Sequence, residues 1–180
     1  MLTPGNTVLI IIDIQASLAH SMYEKNTLFE NAKKIIKGSR VLGVPIIVTE
    51  QIPEKLGRTI PEIDNLVSDI QHISKAGFSC CGSEHFMREL GTLNRKQILL
   101  AGIESHICVY LTAMDLLNIG GYEVQIVADA VSSRTVRNRD IALKKMKDSG
   151  ASPTSTEMAL FELLKTAENE KAGEIFKIIK

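Results

Sequence analysis

The sequence predicts an α/β fold in which a mostly parallel sheet lies between two layers of helices. Short runs of β-branched residues alternate with segments of helical periodicity, and strands separated by helices form right-handed crossovers in a parallel sheet. Aromatic residues make up only 4% of the chain and tryptophan is absent, so the core is aliphatic. Parallel strands buried on both faces typically have this composition.

The first quarter of the chain contains two predicted strands and one helix. Residues 7–12 are a continuous apolar run, which is typical of a buried strand. Residues 28–42 place their apolar side chains at helical spacing. Residues 44–49 form a second strand with Pro45 near its start, where a missing N–H is tolerated. Proline and glycine interrupt residues 50–61, which predicts a loop.

The middle of the chain continues the alternation. Residues 68–74 are ambiguous and hold a candidate third strand that ends near Lys75. Residues 84–90 form a short helix, residues 97–101 a fourth strand that is followed by glycine, and residues 105–117 a strongly apolar helix.

The last third predicts one more crossover and two terminal helices. Residues 122–128 form the fifth strand, and residues 137–148 an amphipathic helix with Gly150 behind it. Residues 151–152 are a candidate sixth strand. Two further helical segments complete the pattern, at residues 154–165 and 172–179.

Length and charge narrow the class of protein. A chain of 180 residues predicts one domain, residues 1–180. Lysine plus arginine and aspartate plus glutamate each number 21, so no basic surplus indicates a nucleic-acid partner. No apolar stretch approaches the ~20 residues of a membrane span, and no signal peptide is visible. Three cysteines, an odd count, argue against a disulfide scaffold and favour free thiols in the cytoplasm.

Polar residues at the ends of the predicted strands are the candidates for chemistry. The carboxyl ends of parallel strands meet at one edge of the sheet, where ligands bind. Asp13, Lys75 and Cys108 would converge there if the sheet is doubly wound. Cys108 lies in the first turn of a predicted helix, whose positive end favours a thiolate, and a nearby lysine has the same effect. A carboxylate such as Asp13 can take the proton of a nucleophilic cysteine.

Each of these residues also has an ordinary structural interpretation. Cys108 is equally well explained as a buried packing residue, because free cysteine is among the most buried residue types. Asp13 alone would be a strand cap, and Lys75 alone a surface lysine. His106 is a rival base for Cys108, but residues two apart on a helix do not face each other. Arg134 follows the fifth strand, in a polar loop where an arginine is more often solvated or structural.

Five motifs in order along the chain carry a resemblance to a known family. They are IIIDIQ, VTEQIPEKLGRTIPEI, SKAGFSC, LLAGIESHICV and the segment VADAVSSR with the residues that follow it. The chain resembles the isochorismatase-like cysteine hydrolases, in the branch of the isochorismatase-domain-containing proteins. Each motif is weak alone, but their order and spacing over residues 6–164 are specific.

The resemblance implies a fold, a site and a reaction. The fold is a three-layer, doubly wound, Rossmann-like sheet with strand order 3-2-1-4-5-6. The site is an Asp13–Lys75–Cys108 triad, with a cis peptide bond at Ile103–Glu104. Backbone amides of Glu104 and Cys108 would form an oxyanion hole. The reaction is hydrolysis of a C–N bond in a small amide through a thioester.

The pocket and the partners follow as further expectations. Gln15, Gln51 and Phe78 are candidate substrate-binding residues. Family amidases that bind a metal place an aspartate and a histidine after the second strand, whereas this chain has Glu50 and Gln51 there. No metal or cofactor is therefore expected. The expected partners are a small-molecule substrate and further copies of the chain in a homo-oligomer, with no nucleic acid and no membrane.

Two other classes of function remain open at this point. One is a non-catalytic protein that binds a small molecule or regulates a process on the same fold, because fold does not determine function. The other is a thiol redox protein that uses Cys80, Cys81 and Cys108. The redox class requires a resolving cysteine close to Cys108.

Overall fold

The computed structural model describes all 180 residues and contains one six-stranded sheet. All neighbouring strands are parallel, and their order is β3-β2-β1-β4-β5-β6, in agreement with the predicted order. The strands are β1 Thr7–Ile12, β2 Ile46–Gln51, β3 Ile73–Lys75, β4 Gln97–Ile103, β5 Glu123–Ser132 and β6 Ser152–Thr154.

Helices cover both faces of the sheet. They are α1 Ala16–His20, α2 Lys25–Val41, α3 Pro53–Leu56, α4 Pro61–Val67, α5 Glu84–Leu93, α6 Tyr110–Ile119, α7 Val136–Asp148, α8 Thr156–Leu164 and α9 Ala172–Ile179. A π-helical turn, Ser105–Val109, precedes α6. None of the helices combines the length and the apolar character that crossing a membrane requires.

The central strand β1 divides its side chains between two cores. Leu9 and Ile11 join a cluster of 28 buried residues that includes apolar side chains of α2, α4, α8 and α9. Val8, Ile10 and Ile12 join a second cluster of 20 buried residues, which includes side chains of α5, α6 and α7. Successive side chains of a strand point to opposite faces, so an uninterrupted apolar run is what a three-layer structure requires of its middle strand.

The structure differs from the sequence-based prediction mainly between β2 and β3. The predicted loop, residues 50–61, contains the end of β2 and the short helix α3, and α4 begins at its last residue. Pro53 and Pro61 stand at the first turns of α3 and α4, where proline is tolerated because that N–H has no helical partner. The same prolines led the sequence analysis to predict a loop.

The remaining differences concern boundaries and one short helix. α1 was not predicted, and α2 begins three residues before its predicted start. β6 is Ser152–Thr154 and α8 begins at Thr156, because Ser155 accepts a hydrogen bond from Met158 N–H and caps the helix. The helix predicted from residue 105 begins instead with the π-helical turn.

Two adjacent strands, β1 and β4, form the point where the chain changes direction across the sheet. From β1 the chain builds outward through β2 and β3, and it then returns to add β4 on the other side of β1. Doubly wound sheets bind their ligands at the carboxyl ends of such a strand pair. Asp13 directly follows β1, and Cys108 lies in the π-helical turn after β4.

Gly102 allows β1 and β4 to approach closely beside this point. Its φ angle is +123°, and a Cβ atom there would lie 2.0 Å from Ile12 O and 2.7 Å from Ile12 N. Both contacts are with backbone, which cannot move aside independently of the strand.

We expect Gly102→Ala to destabilise the fold by more than about 3 kcal/mol, because it combines an unfavourable φ with a backbone clash. Gly91→Ala is the matched control, since nothing lies within 4 Å of a Cβ atom there. Alanine at this position in α5 should be neutral or stabilising by about 0.5–1 kcal/mol. Urea unfolding of both variants measures the difference, and equal stabilities would contradict the packing argument.

Candidate active site

A buried ion pair lies at the carboxyl end of the sheet. Lys75 Nζ, at the end of β3, donates to Asp13 Oδ2 at 2.6 Å, and Thr49 Oγ1 donates to Asp13 Oδ1 at 2.8 Å. The side chains of Lys75 and Asp13 are 1% and 3% exposed, so water cannot compensate either charge. The two charges must therefore be satisfied by each other and by neighbouring polar groups.

Lys75 is held by three oxygens besides Asp13. Its Nζ donates to Gln51 Oε1 at 2.7 Å, to Phe78 O at 3.1 Å and to Gly77 O at 3.2 Å. The ammonium group thus stays hydrogen-bonded even if Asp13 becomes neutral. Its position next to Asp13 does not depend on the charge of the carboxylate alone.

Cys108 lies on the π-helical turn after β4, facing the same cavity as Asp13. Its Sγ is 4.0 Å from Gln51 Oε1, which also accepts from Lys75. The positive charge of Lys75 favours the thiolate, as expected, but two opposing effects outweigh it in the free protein. Burial, followed by the negative charge of Asp13, raises the pKa of Cys108 to about 12. The thiol is therefore protonated at neutral pH.

Cys80 is linked to the Asp13 carboxylate indirectly, through the hydroxyl group of Thr49. Thr49 Oγ1 lies 3.8 Å from Cys80 Sγ and donates its proton to Asp13. Burial is the main cause that raises the pKa of Cys80 to about 12. Because Thr49 has already given its proton to Asp13, the Cys80 thiol is left to act as the donor toward Thr49.

A cavity of about 240 Å³ opens in front of these groups. The predicted residues Gln15, Gln51 and Phe78 all line it, together with Asp13 and Cys108. Its remaining walls are Leu18, Leu56, Ile103, Glu104, Ile107 and Arg134. Lys75 is covered and supports the cavity from below through Asp13 and Gln51.

The amide of Gln15 is used by the protein itself. Its Oε1 accepts from Gln51 N–H at 2.6 Å, and its Nε2 donates to Gly57 O at 2.6 Å and to Gln51 O at 3.1 Å. Gln15 therefore joins the end of β2 to the loop after α3. Its polar atoms position the walls of the cavity, and this leaves no amide proton free for a ligand.

A second set of bonds, centred on Glu50, holds the same loop. Glu50 Oε1 accepts from Thr59 N at 2.7 Å and from Thr59 Oγ1 at 2.8 Å, and it lies 3.2 Å from His72 Nδ1. Burial by itself would raise the pKa of Glu50, but the bonds from Thr59 and His72 keep it below its usual value. Glu50 remains an anion that fastens Thr59, and with it the loop, to the end of β2.

The backbone around this junction is strained in a way that needs such support. Asp13, Ala16 and Ile52 are non-glycine residues with φ angles of 51°, 37° and 37°. Left-handed conformations of this kind are unfavourable and persist where surrounding contacts enforce them. They flank Gln15 and Glu50, whose side chains supply those contacts.

The other side of the cavity is built by the segment between β4 and the π-helical turn. The Ile103–Glu104 peptide bond is cis. The Glu104 N–H donates to no group of the protein. The Glu104 carboxylate is 2% exposed and accepts from Arg134 Nε at 2.7 Å and 3.2 Å. His106 lies toward Ser133, with Nδ1 2.9 Å from Ser133 Oγ, and makes no hydrogen bond to Cys108.

Several cavity residues were missed by the sequence analysis. Leu18, Leu56 and Ile107 are single apolar residues in short or irregular elements, so no periodic pattern marked them. Arg134 was interpreted as a solvated or structural loop residue and not as part of the site, whereas it pairs with Glu104 at the cavity wall. Its place two residues after β5 was the only signal available.

No three histidine, cysteine, aspartate or glutamate side chains converge in a way that could hold a metal ion.

The match to a family model spans most of the chain. Residues 7–158 match the model described as the isochorismatase domain. The protein belongs to the isochorismatase family. The matched region begins at β1 and ends in α8, so it contains Asp13, Lys75 and Cys108 together with every strand of the sheet.

Named relatives of this isochorismatase-family protein extend over nearly its whole length. The secreted isochorismatase effector Isc1 of Phytophthora sojae is 38% identical over 184 residues, which cover 99% of this chain and 87% of that protein. Mouse isochorismatase domain-containing protein 2A is 36% identical over 98% of this chain and 84% of its own length. These relatives confirm the resemblance to the isochorismatase-domain-containing branch.

A solved structure confirms the fold. The MAR1 ribonuclease of Caenorhabditis elegans is 33% identical and superposes with a TM-score of 0.92, over 99% of this chain and 91% of that one. The doubly wound sheet with order 3-2-1-4-5-6 is thus the architecture of the isochorismatase-family protein described here.

We expect Asp13→Asn to lower the pKa of Cys108, because the substitution removes a negative charge that disfavours the thiolate and leaves Lys75 without its counter-ion. The pH profile of alkylation by iodoacetamide, followed by mass spectrometry, should shift to lower pH. Cys81 is an internal control: burial raises its pKa to about 11 and Asp13 is not among the causes. A profile for Cys108 that moves to higher pH would contradict this account of the site.

Thr59→Val removes the hydroxyl that donates to buried Glu50 and should destabilise the protein by about 1.5–3 kcal/mol, the range for a hydrogen bond to a charged group. Thr59→Ser keeps the hydroxyl and should retain most of this stability. Urea unfolding at pH 7 compares the two variants. If the valine variant proves at least as stable as the serine variant, the Glu50 contact does not fasten the loop.

Proposed function

We propose that this isochorismatase-family protein is a cysteine-dependent hydrolase that cleaves the C–N bond of a small amide through a thioester. The observation that carries the proposal is the buried Asp13–Lys75 pair beside Cys108 at one cavity. A nucleophile, a base and a group that orients the base are the parts that covalent acyl transfer requires. The family supports hydrolase chemistry in general, and the triad and the bond cleaved are our assignment.

Proton transfer to Asp13 starts the reaction. Cys108 is a neutral thiol in the free site, so its proton passes to Asp13 as the sulfur attacks the carbonyl carbon. Lys75 loses its counter-ion at that moment but keeps its bonds to Gln51, Gly77 and Phe78. Asp13 then gives the proton to the leaving amine, which departs and leaves the thioester.

Water completes the cycle by the reverse sequence. Asp13 takes a proton from water, the hydroxide attacks the thioester, and the proton returns to the departing Cys108 sulfur. The carboxylic acid product is released and the free thiol is restored. Backbone amides of Glu104 and Cys108 stabilise the oxyanion in both halves, an interaction worth about 3–4 kcal/mol per donor in well-studied enzymes. The uncommitted N–H of Glu104 supports its part in this role.

Ribonuclease activity is the competing assignment, because the 33% identical C. elegans protein carries that name. Charges at the cavity favour the amide. The site has two cations, Lys75 beneath the cavity and Arg134 in its wall, and both are paired with carboxylates. The chain as a whole has no net formal charge. Binding of RNA depends mainly on cations that neutralise phosphates.

Two expectations about the whole protein are also proposals. We place it in the cytoplasm because all three cysteines are free thiols, although the Phytophthora relative is named as secreted.

We expect a homo-oligomer because α6 and α7 together expose four large apolar residues, Leu111, Ile119, Val136 and Ile141. Light scattering tests the second proposal, and the mass of a single chain would contradict it.

Cys108→Ala should lower kcat for any amide substrate by at least about 10⁴-fold, because it removes the nucleophile. Cys81→Ser is the control, since Cys81 lies outside the cavity and should leave the rate within about twofold. Ammonia release measures turnover, and circular dichroism verifies the fold. Turnover that survives in the alanine variant would overturn the thioester mechanism. A protein that binds amides without any turnover would instead be the non-catalytic alternative. RNA cleavage that persists in the alanine variant would support the ribonuclease assignment instead.

A further inference from the structure

We propose that the site selects uncharged primary amides with a compact apolar acyl group, and that Leu56 and Phe78 determine this selectivity. The inference rests on the proposed function and deepens it by naming the class of substrate. It follows from which cavity walls are apolar, how those walls are held, and which charges remain free.

Apolar side chains surround the position of the acyl group. Leu18, Ile103 and Ile107 line the cavity together with Cys108, and the more exposed Leu56 and Phe78 form its rim. Phe78 is 57% exposed and Leu56 is 42% exposed, although both are large apolar residues. Exposed apolar side chains that converge on a concave site typically mark a surface that a ligand covers.

Hydrogen bonds from Lys75 and Gln15 hold the backbone at or beside the two rim residues. Phe78 O accepts from Lys75 Nζ at 3.1 Å, so the residue that carries the phenyl ring is tied to the ion pair. Gly57 O, directly after Leu56, accepts from Gln15 Nε2 at 2.6 Å. Glu50 fastens Thr59 in the same loop. A wall that is held before the ligand arrives loses less conformational entropy on binding.

No charge in the cavity is left over for an ionic substrate. Asp13 is paired with Lys75, and Glu104 is paired with Arg134. Arg134 uses its Nε on Glu104 and is 58% exposed, so water already solvates the rest of its guanidinium group. An anionic acyl group would lose its own hydration beside two carboxylates, Asp13 and Glu104, and would gain no unpaired cation in return.

The size of the cavity sets an upper limit on the acyl group. Its volume of about 240 Å³ is below the range of about 300–1,000 Å³ that is usual for pockets of drug-sized ligands. We therefore expect short aliphatic chains to fit and long chains to project past Phe78 into water.

The experiment compares kcat/KM for a series of primary amides with the wild-type protein. The neutral series is acetamide, propanamide, butanamide and 3-methylbutanamide, and the matched ions are succinamate and 4-aminobutanamide. We expect kcat/KM to rise about three- to fivefold with each added methylene, as burial of a CH₂ group predicts, and both ions to fall at least tenfold below butanamide.

Variants test whether the rim residues Leu56 and Phe78 cause the rise of kcat/KM with chain length. Phe78→Ala and Leu56→Ala should flatten the rise along the neutral series, with a loss that grows with chain length. Met158→Ala is the matched control, because Met158 is 58% exposed but lies on α8 outside the cavity, and it should preserve the slope. Arg134→Gln leaves the Glu104 carboxylate unpaired, so it should lower the ratio of kcat/KM for succinamate to kcat/KM for butanamide further and should not raise it.

Two results would overturn the proposal while the hydrolase mechanism stands. One is a flat neutral series, and the other is a preference for succinamate that is lost in Arg134→Gln. If no amide is hydrolysed, the hydrolase proposal fails, and the selectivity proposal is tested separately by measuring the binding of the same amides. Protection of Cys108 from iodoacetamide that strengthens from acetamide to 3-methylbutanamide would support apolar selectivity, and equal or absent protection would overturn it.

Discussion

The buried ion pair between Lys75 and Asp13 is the interaction on which the rest of the site depends. Two charges cannot be removed from water unless good geometry and further hydrogen bonds compensate them. Here the Thr49 hydroxyl donates a hydrogen bond to the second carboxylate oxygen of Asp13. The remaining N–H donors of Lys75 are satisfied by Gln51 and by two backbone carbonyls. Loss of either partner would leave an uncompensated charge, at a cost of about 3–5 kcal/mol.

The same pair links the chemistry to the shape of the pocket. Lys75 holds the segment that carries Phe78, and Gln51 lies between Lys75, Cys108 and Gln15. Gln15 in turn holds the loop beyond Leu56. The residues that would move a proton and the residues that would contact the acyl group therefore belong to one hydrogen-bonded network. A substitution at its centre should change both properties, because neighbouring members of a network are not independent.

The alternation of apolar runs and helical segments predicted a parallel sheet, and the resemblance carried by the five motifs supplied its strand order. Given a doubly wound sheet, the places of Asp13, Lys75 and Cys108 at strand ends predicted their convergence. The sequence did not predict α3 or α4, since Pro53 and Pro61 interrupt a chain and also start helices. The protonated state of Cys108 depends on burial and on the distance to a charge, neither of which periodicity records. Arg134 was missed for the same reason, because its role depends on Glu104, which lies 30 residues earlier in the chain.

The pairing of Glu104 with Arg134 has a consequence for how substrates reach the site. Together with the Asp13–Lys75 pair, it balances the charges at the cavity, so that two ion pairs are present and no net charge remains. The formal charge of the whole protein is also zero. Such a surface produces little long-range field, so diffusion alone brings a ligand to the opening. The rate of encounter should then be nearly independent of ionic strength, and a neutral metabolite at low concentration gains no electrostatic assistance.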